Sequence, residues 1–252
     1  MSQATGAAAR PTRVKLLVTC LVDTVYPQVG FAAVAVLERL GITVEVPAGQ
    51  TCCGQPAFNS GSWDDARAMA RHLIDVFGDD QIPVVVPSGS CGDMVIHQAP
   101  HLLAGDAVYG PRAAALSART HELTQFIVDV LGVTDVGART RARIAYHPAC
   151  HGLRGLGVAT QPLALLDGVG GAVRCPLPEA ETCCGFGGLF AVKLADVSGT
   201  LLERKIANIE QSGADTLVAT DVSCLMHIAG GLHRRGSAVK VRHLAEVLAE
   251  DQ

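Results

Sequence analysis

The sequence is poor in charge and poorer in aromatics. Of its 252 residues 17% are Asp, Glu, Lys or Arg, 4% are aromatic, and there is a single tryptophan. Twenty basic residues stand against twenty-four acidic ones, a formal charge of −4, and the basic ones are scattered. The concentrated Lys/Arg surface that a nucleic acid requires is missing, so no nucleic-acid partner is expected, and the Arg234-Arg235 pair reads as a solvated face. No apolar run approaches the ~20 residues of a membrane helix, so no transmembrane segment is expected. The most apolar stretch, Val14 to Leu40, is interrupted by Asp23, Pro27, Gln28 and Glu38. There is no G-x-G-x-x-G after a strand, no Walker lysine loop and no haem Cys-x-x-Cys-His, which removes the usual devices for holding a nicotinamide, flavin, nucleotide or haem. Residues 1–13 are Ala-rich and polar, without the apolar core of a signal peptide, and read as a flexible leader on a cytoplasmic protein.

What is abundant is apolar material, 49% of the chain, and nine cysteines. Reduced thiols are the rule in the cytoplasm, so metal ligation, redox chemistry or packing must account for them. Setting Cys175 aside as a buried filler, the rest fall into two quartets. Cys20, Cys52, Cys53 and Cys91 form the first; Cys150, Cys183, Cys184 and Cys224 form the second. Each is a single cysteine, a vicinal pair and a single cysteine, separated by 31 and 37 residues in one quartet and 32 and 39 in the other. Corresponding members are offset by 130 to 133 residues, both pairs run into glycine, and both last cysteines follow serine. This is an internal duplication.

The intervening segments repeat as well. Val14 to Thr19 and Arg143 to Ala149 read as strands ending at the first cysteine of each quartet. Pro27 suits a helix first turn, with Phe31, Val34, Leu37 and Leu40 as its apolar stripe and Gly41 as its stop. A short strand, Ile42 to Pro47, leads to the first vicinal pair. A helix starts at Ser62-Trp63-Asp64-Asp65 and stops at Gly78, and Ile82 to Pro87 is a buried-type strand before Cys91. Ala172 to Pro176, a helix bearing Leu202, Ile206 and Ile209, and Asp215 to Thr220 match them in the second half. Each repeat closes with an amphipathic helix, at His121 to Leu131 and His243 to Leu248. Alternating strands and helices predict an α/β fold of two pseudo-two-fold repeats, 14–137 and 138–252, each a small parallel sheet covered by helices.

In such units ligands bind beyond the carboxyl ends of the strands, where all eight repeated cysteines fall. Four thiolates converging in each half suit zinc or an iron–sulfur centre. The long spacings do not resemble the close C-x-x-C pairs of zinc ribbons. Adjacent cysteines share one site only where the backbone turns sharply, which Gly54 and Gly185 permit. Gly187 and Gly188 bring further backbone N–H groups to the loop, able to hydrogen-bond an anionic centre ahead of a helix N-terminus. A redox role for metal-free thiols, or plain packing, is the rival reading of the eight. His147 and His151 flank Cys150 and can hydrogen-bond a thiolate or carry protons. Trp63 reads as core or interface; Asp23, Ser88 and Ser90 read as turn or cap residues.

The quoted motifs, with Gln50-Thr-Cys-Cys-Gly-Gln-Pro-Ala57, Pro87-Ser-Gly-Ser-Cys91, His147-Pro-Ala-Cys-His151 and Cys183-Cys-Gly-Phe-Gly-Gly188, resemble the cysteine-rich CCG-domain family over nearly the whole of Val14 to Leu248. That family includes the catalytic subunit of heterodisulfide reductase, and the likeness is nearer to its lactate-utilization branch. The resemblance implies an iron–sulfur site in each repeat, metal-ligating roles for the eight cysteines, and a redox subunit of an L-lactate oxidation complex. It also implies a ferredoxin-like iron–sulfur subunit and a third subunit as partners. In the heterodisulfide reductase type a fifth cysteine follows the last at C-x-x-C; here Met94 and His227 occupy those places. Four thiolates per repeat then suit a four-iron cluster, a two-iron cluster or zinc, with His227 a candidate contact to the cofactor and Met94 packing. A zinc-stabilised scaffold and a heterodisulfide-type thiol–disulfide reductase are the alternative functions.

Overall fold

A computed structural model describes residues 10–251, so that most of the expected leader lies outside the described residues. Eight strands form two four-stranded sheets. β1 (Arg13–Leu16), β2 (Thr43–Glu45), β3 (Val84–Val86) and β4 (Thr120–Glu122) lie in the order β2-β1-β3-β4. β5 (Arg143–Tyr146), β6 (Val173–Arg174), β7 (Thr216–Ala219) and β8 (Lys240–His243) lie in the order β6-β5-β7-β8. Every pairing is parallel. The duplicated α/β architecture expected from the cysteine spacing is therefore present.

Side chains alternate across each sheet, and the two faces serve different cores. In the first sheet Val14, Leu16 and Val85 point into a central core, while Leu17, Val84 and Val86 face a core of their own half. In the second, Ile144 and Val218 join that central core, while Ala145 and Leu217 face the local one. The central core is common to both halves. Helix Pro27–Arg39 packs on helix Leu244–Ala249, and helix Gln161–Asp167 packs on the segment Leu123–Val130. The closing helix of each half thus packs against a helix of the other. Arg39 ties the exchange down by donating to Leu248 O at 3.0 Å and Ala249 O at 2.8 Å. Val36, Leu37, Leu244 and Leu248 are buried there, worth about 1.5–3 kcal/mol each.

Three local readings differ from the structure. Helix Pro27–Arg39 buries Val29, Ala32, Ala33, Val36 and Leu37, while Phe31 is 75% exposed. A step of three drifts around a 3.6-residue helix, so the Phe31 stripe leaves the buried face. Helix Trp63–Phe77 begins and ends as expected, but the Ser62 side chain makes no capping bond and Trp63 is exposed. His121 and His243 do not begin helices: both lie in a fourth strand of each sheet, followed by the helical segment. At three or four residues, β4 and β8 are too short and polar for alternation to reveal.

The last residues of those strands, Glu122 and His243, cap the helices that follow and are both buried. Glu122 Oε2 accepts from the backbone N–H of Thr124 at 2.7 Å, whereas Oε1 has no partner. Burial pushes the Glu122 carboxyl up from 4.5 to about 7 and pulls the His243 imidazole down from 6.5 to about 4. For Glu122 the stabilising form is the acid, so its contribution is present below pH 4.5 and is lost as pH rises through 7. For His243 it is the neutral ring, so its contribution is present above pH 6.5 and is lost as pH falls through 4. Between pH 4.5 and 6.5 the two slopes oppose. Relative to the parent, Glu122→Gln is expected to gain about 3 kcal/mol on going from pH 4.5 to pH 8. His243→Asn, which keeps a capping acceptor, is expected to gain relative to the parent as pH falls below 6. Denaturant melts across pH, read as variant minus parent, check both signs.

Candidate metal centre

The strand order decides where the cysteines meet. In each sheet the direction of winding reverses between the first and third strands, and at that switch point the loops part and leave a crevice at the carboxyl ends. Cys20 follows β1 and Cys91 follows β3; Cys150 follows β5 and Cys224 follows β7. The vicinal pairs arrive on the loops after β2 and β6. All eight cysteines line a single cavity of about 240 Å³, which Ser90, His151, Phe186 and Asp221 also line. Sequence reading foresaw one rim per repeat. The two rims face each other across one shared space.

Within each quartet the buried sulfurs lie together, Cys53 Sγ to Cys91 Sγ at 3.4 Å and Cys184 Sγ to Cys224 Sγ at 3.2 Å. Cys20, Cys52, Cys150 and Cys183 are half-buried, and none of the nine cysteines forms a disulfide. Cys175 is buried in the core of the second half, as a filler would be. The turn after each pair needs a left-handed residue: φ is +92° at Gly54 and +91° at Gly185. A Cβ on Gly185 would stand 2.5 Å from Ser198 O, so that position excludes any side chain. The Gly185 N–H donates to Cys183 Sγ at 3.3 Å, within the turn itself. Gly187 and Gly188 also line the cavity, but the helix after them, Leu189–Lys193, has only five residues.

Hydrogen bonding concentrates negative charge on one sulfur of each vicinal pair. The Cys20 thiol beside Cys52 holds that group down at about 2, and Cys150 does the same for Cys183. Hydrogen bonds to those same neighbours push Cys20 and Cys150 up, and burial adds to the effect. Cys224 is lowered to about 6, chiefly by Cys184. Within each quartet the shifts favour the thiolate on one cysteine at the expense of its neighbour, and a metal bound by all four must displace the protons the thiols carry. Four sulfurs per quartet are the donor set of a soft metal site. Against the ~30 Å³ share of one water, the cavity also has room for more than a bare ion at each quartet.

Residues that join the halves shape both sites. Ser88 caps helix Gly89–Asp93, its Oγ accepting from Cys91 N at 3.3 Å. Asp221 occupies the same place before helix Val222–Arg235, accepting from Ser223 N at 3.1 Å through Oδ1. Its Oδ2 reaches across to the first half, accepting from Ser90 N at 2.9 Å and Ser88 Oγ at 3.1 Å. The two cysteine-bearing helices are thus capped through one buried carboxylate. Gly89 meets the other half so closely that a Cβ would lie 2.7 Å from Gly152 N. Asp93 accepts from His97 Nδ1 and His151 Nδ1, each at 2.9 Å, fixing the His151 ring at the cavity.

His147 is buried and lies with the Cys184 and Cys224 sulfurs, all three groups within 4.8 Å of one another. His227, the residue expected to contact the cofactor, is half-buried with Nε2 3.5 Å from Ser198 Oγ and its ring 5.8 Å from that of Phe186. Met94 is fully buried in the first-half core. Two contributors escaped sequence reading. Asp221 looks like an ordinary cap until the halves are superposed. Lys205 interrupts the apolar stripe of helix Ala195–Gln211, and its buried Nζ donates to Glu179 O and Ala180 O. Burial pulls it down to about 8, with the nearby Cys183, Cys184 and Cys224 opposing. A charged residue on a stripe that is apolar in the other repeat was the available signal.

Comparison with known proteins agrees with the duplication. The CCG cysteine-rich domain family matches residues 14–96 and again 144–229. A protein of an Exiguobacterium species named lactate utilization protein A is 51% identical over 238 residues, covering 94% of this chain and 97% of its own. Proteins of the same name from Anoxybacillus flavithermus and Geobacillus kaustophilus are each 48% identical, covering 93% and 94% of this chain and 98% of theirs.

Proposed function

This chain belongs to the CCG cysteine-rich domain family, and on that premise we propose that it is an iron–sulfur electron-relay subunit of a cytoplasmic L-lactate oxidation complex. One observation carries the reading: the eight duplicated cysteines line one cavity, so two metal centres would face each other across it. Bound there, iron–sulfur clusters would supply reversible one-electron storage. The chain's own residues do the rest. The thiolates hold the centres, with a four-iron cluster in each repeat as the form that four donors and this space suit. The Gly185 amide, donating to Cys183 Sγ, stabilises negative charge on sulfur. The tight cross-half capping keeps the two sites at a constant separation.

The relatives' shared name, lactate utilization protein A, and their full-length similarity support lactate as the substrate, while membership of a complex is part of the proposal. Among the described residues, no helix is long and apolar enough to cross a membrane. Partner subunits, one of them ferredoxin-like with its own clusters, would dock on exposed apolar side chains. Val192, Leu194 and Val197 are all more than half exposed, just beyond Leu189, which lines the cavity. The test is optical. With the partner subunits present, anaerobic L-lactate is expected to bleach the visible absorbance of this chain. Full lactate turnover by the partners without this chain would refute the relay role.

A further inference from the structure

The two repeats are built on one plan, yet around the second quartet the structure departs from it. His147, at the end of β5, stands three residues before Cys150; the residue three before Cys20 is Leu17. Both are buried to within 1%. Leucine shows what that position needs for packing alone. Imidazole there has a cost: neither His147 Nδ1 nor Nε2 meets a well-formed hydrogen-bond partner, the Cys224 sulfur being the polar group that the ring acts on, although its backbone N–H is satisfied by Val218 O at 2.8 Å. A buried polar group without a partner costs about 1–3 kcal/mol. The ring is not far from a use, because it clusters with the Cys184 and Cys224 sulfurs within 4.8 Å. A neutral imidazole carries one ring nitrogen with a free lone pair, a donor that zinc and iron both accept beside thiolate.

We propose that His147 is a nitrogen donor to the metal of the second site, so that the two repeats hold unlike centres: all-thiolate in the first, mixed thiolate and imidazole in the second. The proposal rests on the reading that the quartets bind metal. It goes beyond the duplicated cysteines, which are alike in the two halves. Where the imidazole takes the place of one of the four thiolates, the negative charge at the centre falls and its potential rises, as imidazole ligation does in two-iron centres. The buried Lys205 lies beside the same quartet, whereas Leu73 faces the first-half core. Both differences favour the extra electron at the second site, so an electron leaving the first centre, which is oxidised, would reduce the second.

The test uses the full chain labelled with ¹⁵N-histidine, reconstituted anaerobically with ferrous iron and sulfide, reduced, and read by pulsed electron paramagnetic resonance. The expected result is a strong histidine-nitrogen coupling that persists in Cys53→Ser, which disables the first site, and is lost in His147→Leu. The parent spectrum alone decides whether a histidine ligates, so the inference survives any folding defect in a variant. Iron uptake without a directly bonded histidine nitrogen overturns this inference and leaves the metal reading intact. A coupling that persists in His147→Leu overturns it as well, since another histidine would then be the donor. A chain that takes up neither iron nor sulfide overturns both readings together.

Discussion

Asp221→Ala is expected to strip metal from both quartets, although Asp221 belongs to only one repeat. Its carboxylate caps the helix of Cys224 through Ser223 and, across the junction, accepts from Ser88 Oγ and Ser90 N at the start of the helix of Cys91. Alanine leaves the Ser90 and Ser223 amides without their carboxylate acceptor, and Ser88 Oγ with only Ser90 Oγ to turn to. Hydrogen bonds to a charged group are worth about 1.5–3 kcal/mol each, so the expected loss is about 3–5 kcal/mol. In a chain of this size that lowers the melting temperature by about 10 °C. Metal per chain should fall well below half the parent value. Asp221→Asn, which keeps the shape and one acceptor, should fall between the two. Metal analysis with thermal melts checks this; loss confined to the second site would contradict the shared cap.

Cys53→Ser and Cys184→Ser should behave in the opposite way, each removing one centre and sparing the other. Both cysteines are buried, and each has its sulfur against that of a cysteine of its own quartet. A serine hydroxyl is a hard, protonated donor at neutral pH and a poor replacement for thiolate on a soft metal. Metal per chain is expected to drop to about half, with the spectrum of the surviving centre unchanged. Equal weakening of both centres by either change would argue that the eight cysteines make one joint site. The contrast with Asp221 separates ligands from the scaffold that positions them.

The features legible in the sequence were those written in local chemistry. Cysteine spacing, repeated with a nearly constant offset, revealed the duplication; Gly54 and Gly185 marked the sharp turns; β-like runs before Cys91 and Cys224 placed those residues at strand ends. The hidden features depend on distant segments meeting. β4 and β8 are short and polar, and only their pairing with β3 and β7 makes them strands. The exposure of Phe31 follows from which face of its helix meets helix Leu244–Ala249, more than 200 residues away. Nothing local tells that the two rims close on one cavity, or that Asp221 spans them. His147 was visible as a neighbour of Cys150, but its orphaned ring nitrogens belong to the packed structure.

The most direct test of the account is the iron, zinc and acid-labile sulfide content of the full chain purified without oxygen. Iron and sulfide are expected in nearly equal amounts, about eight of each per chain if both repeats hold four-iron clusters. Those clusters should be lost on exposure to a strong chelator under oxidising conditions. A fully functional protein containing no metal, or zinc without sulfide, would contradict it.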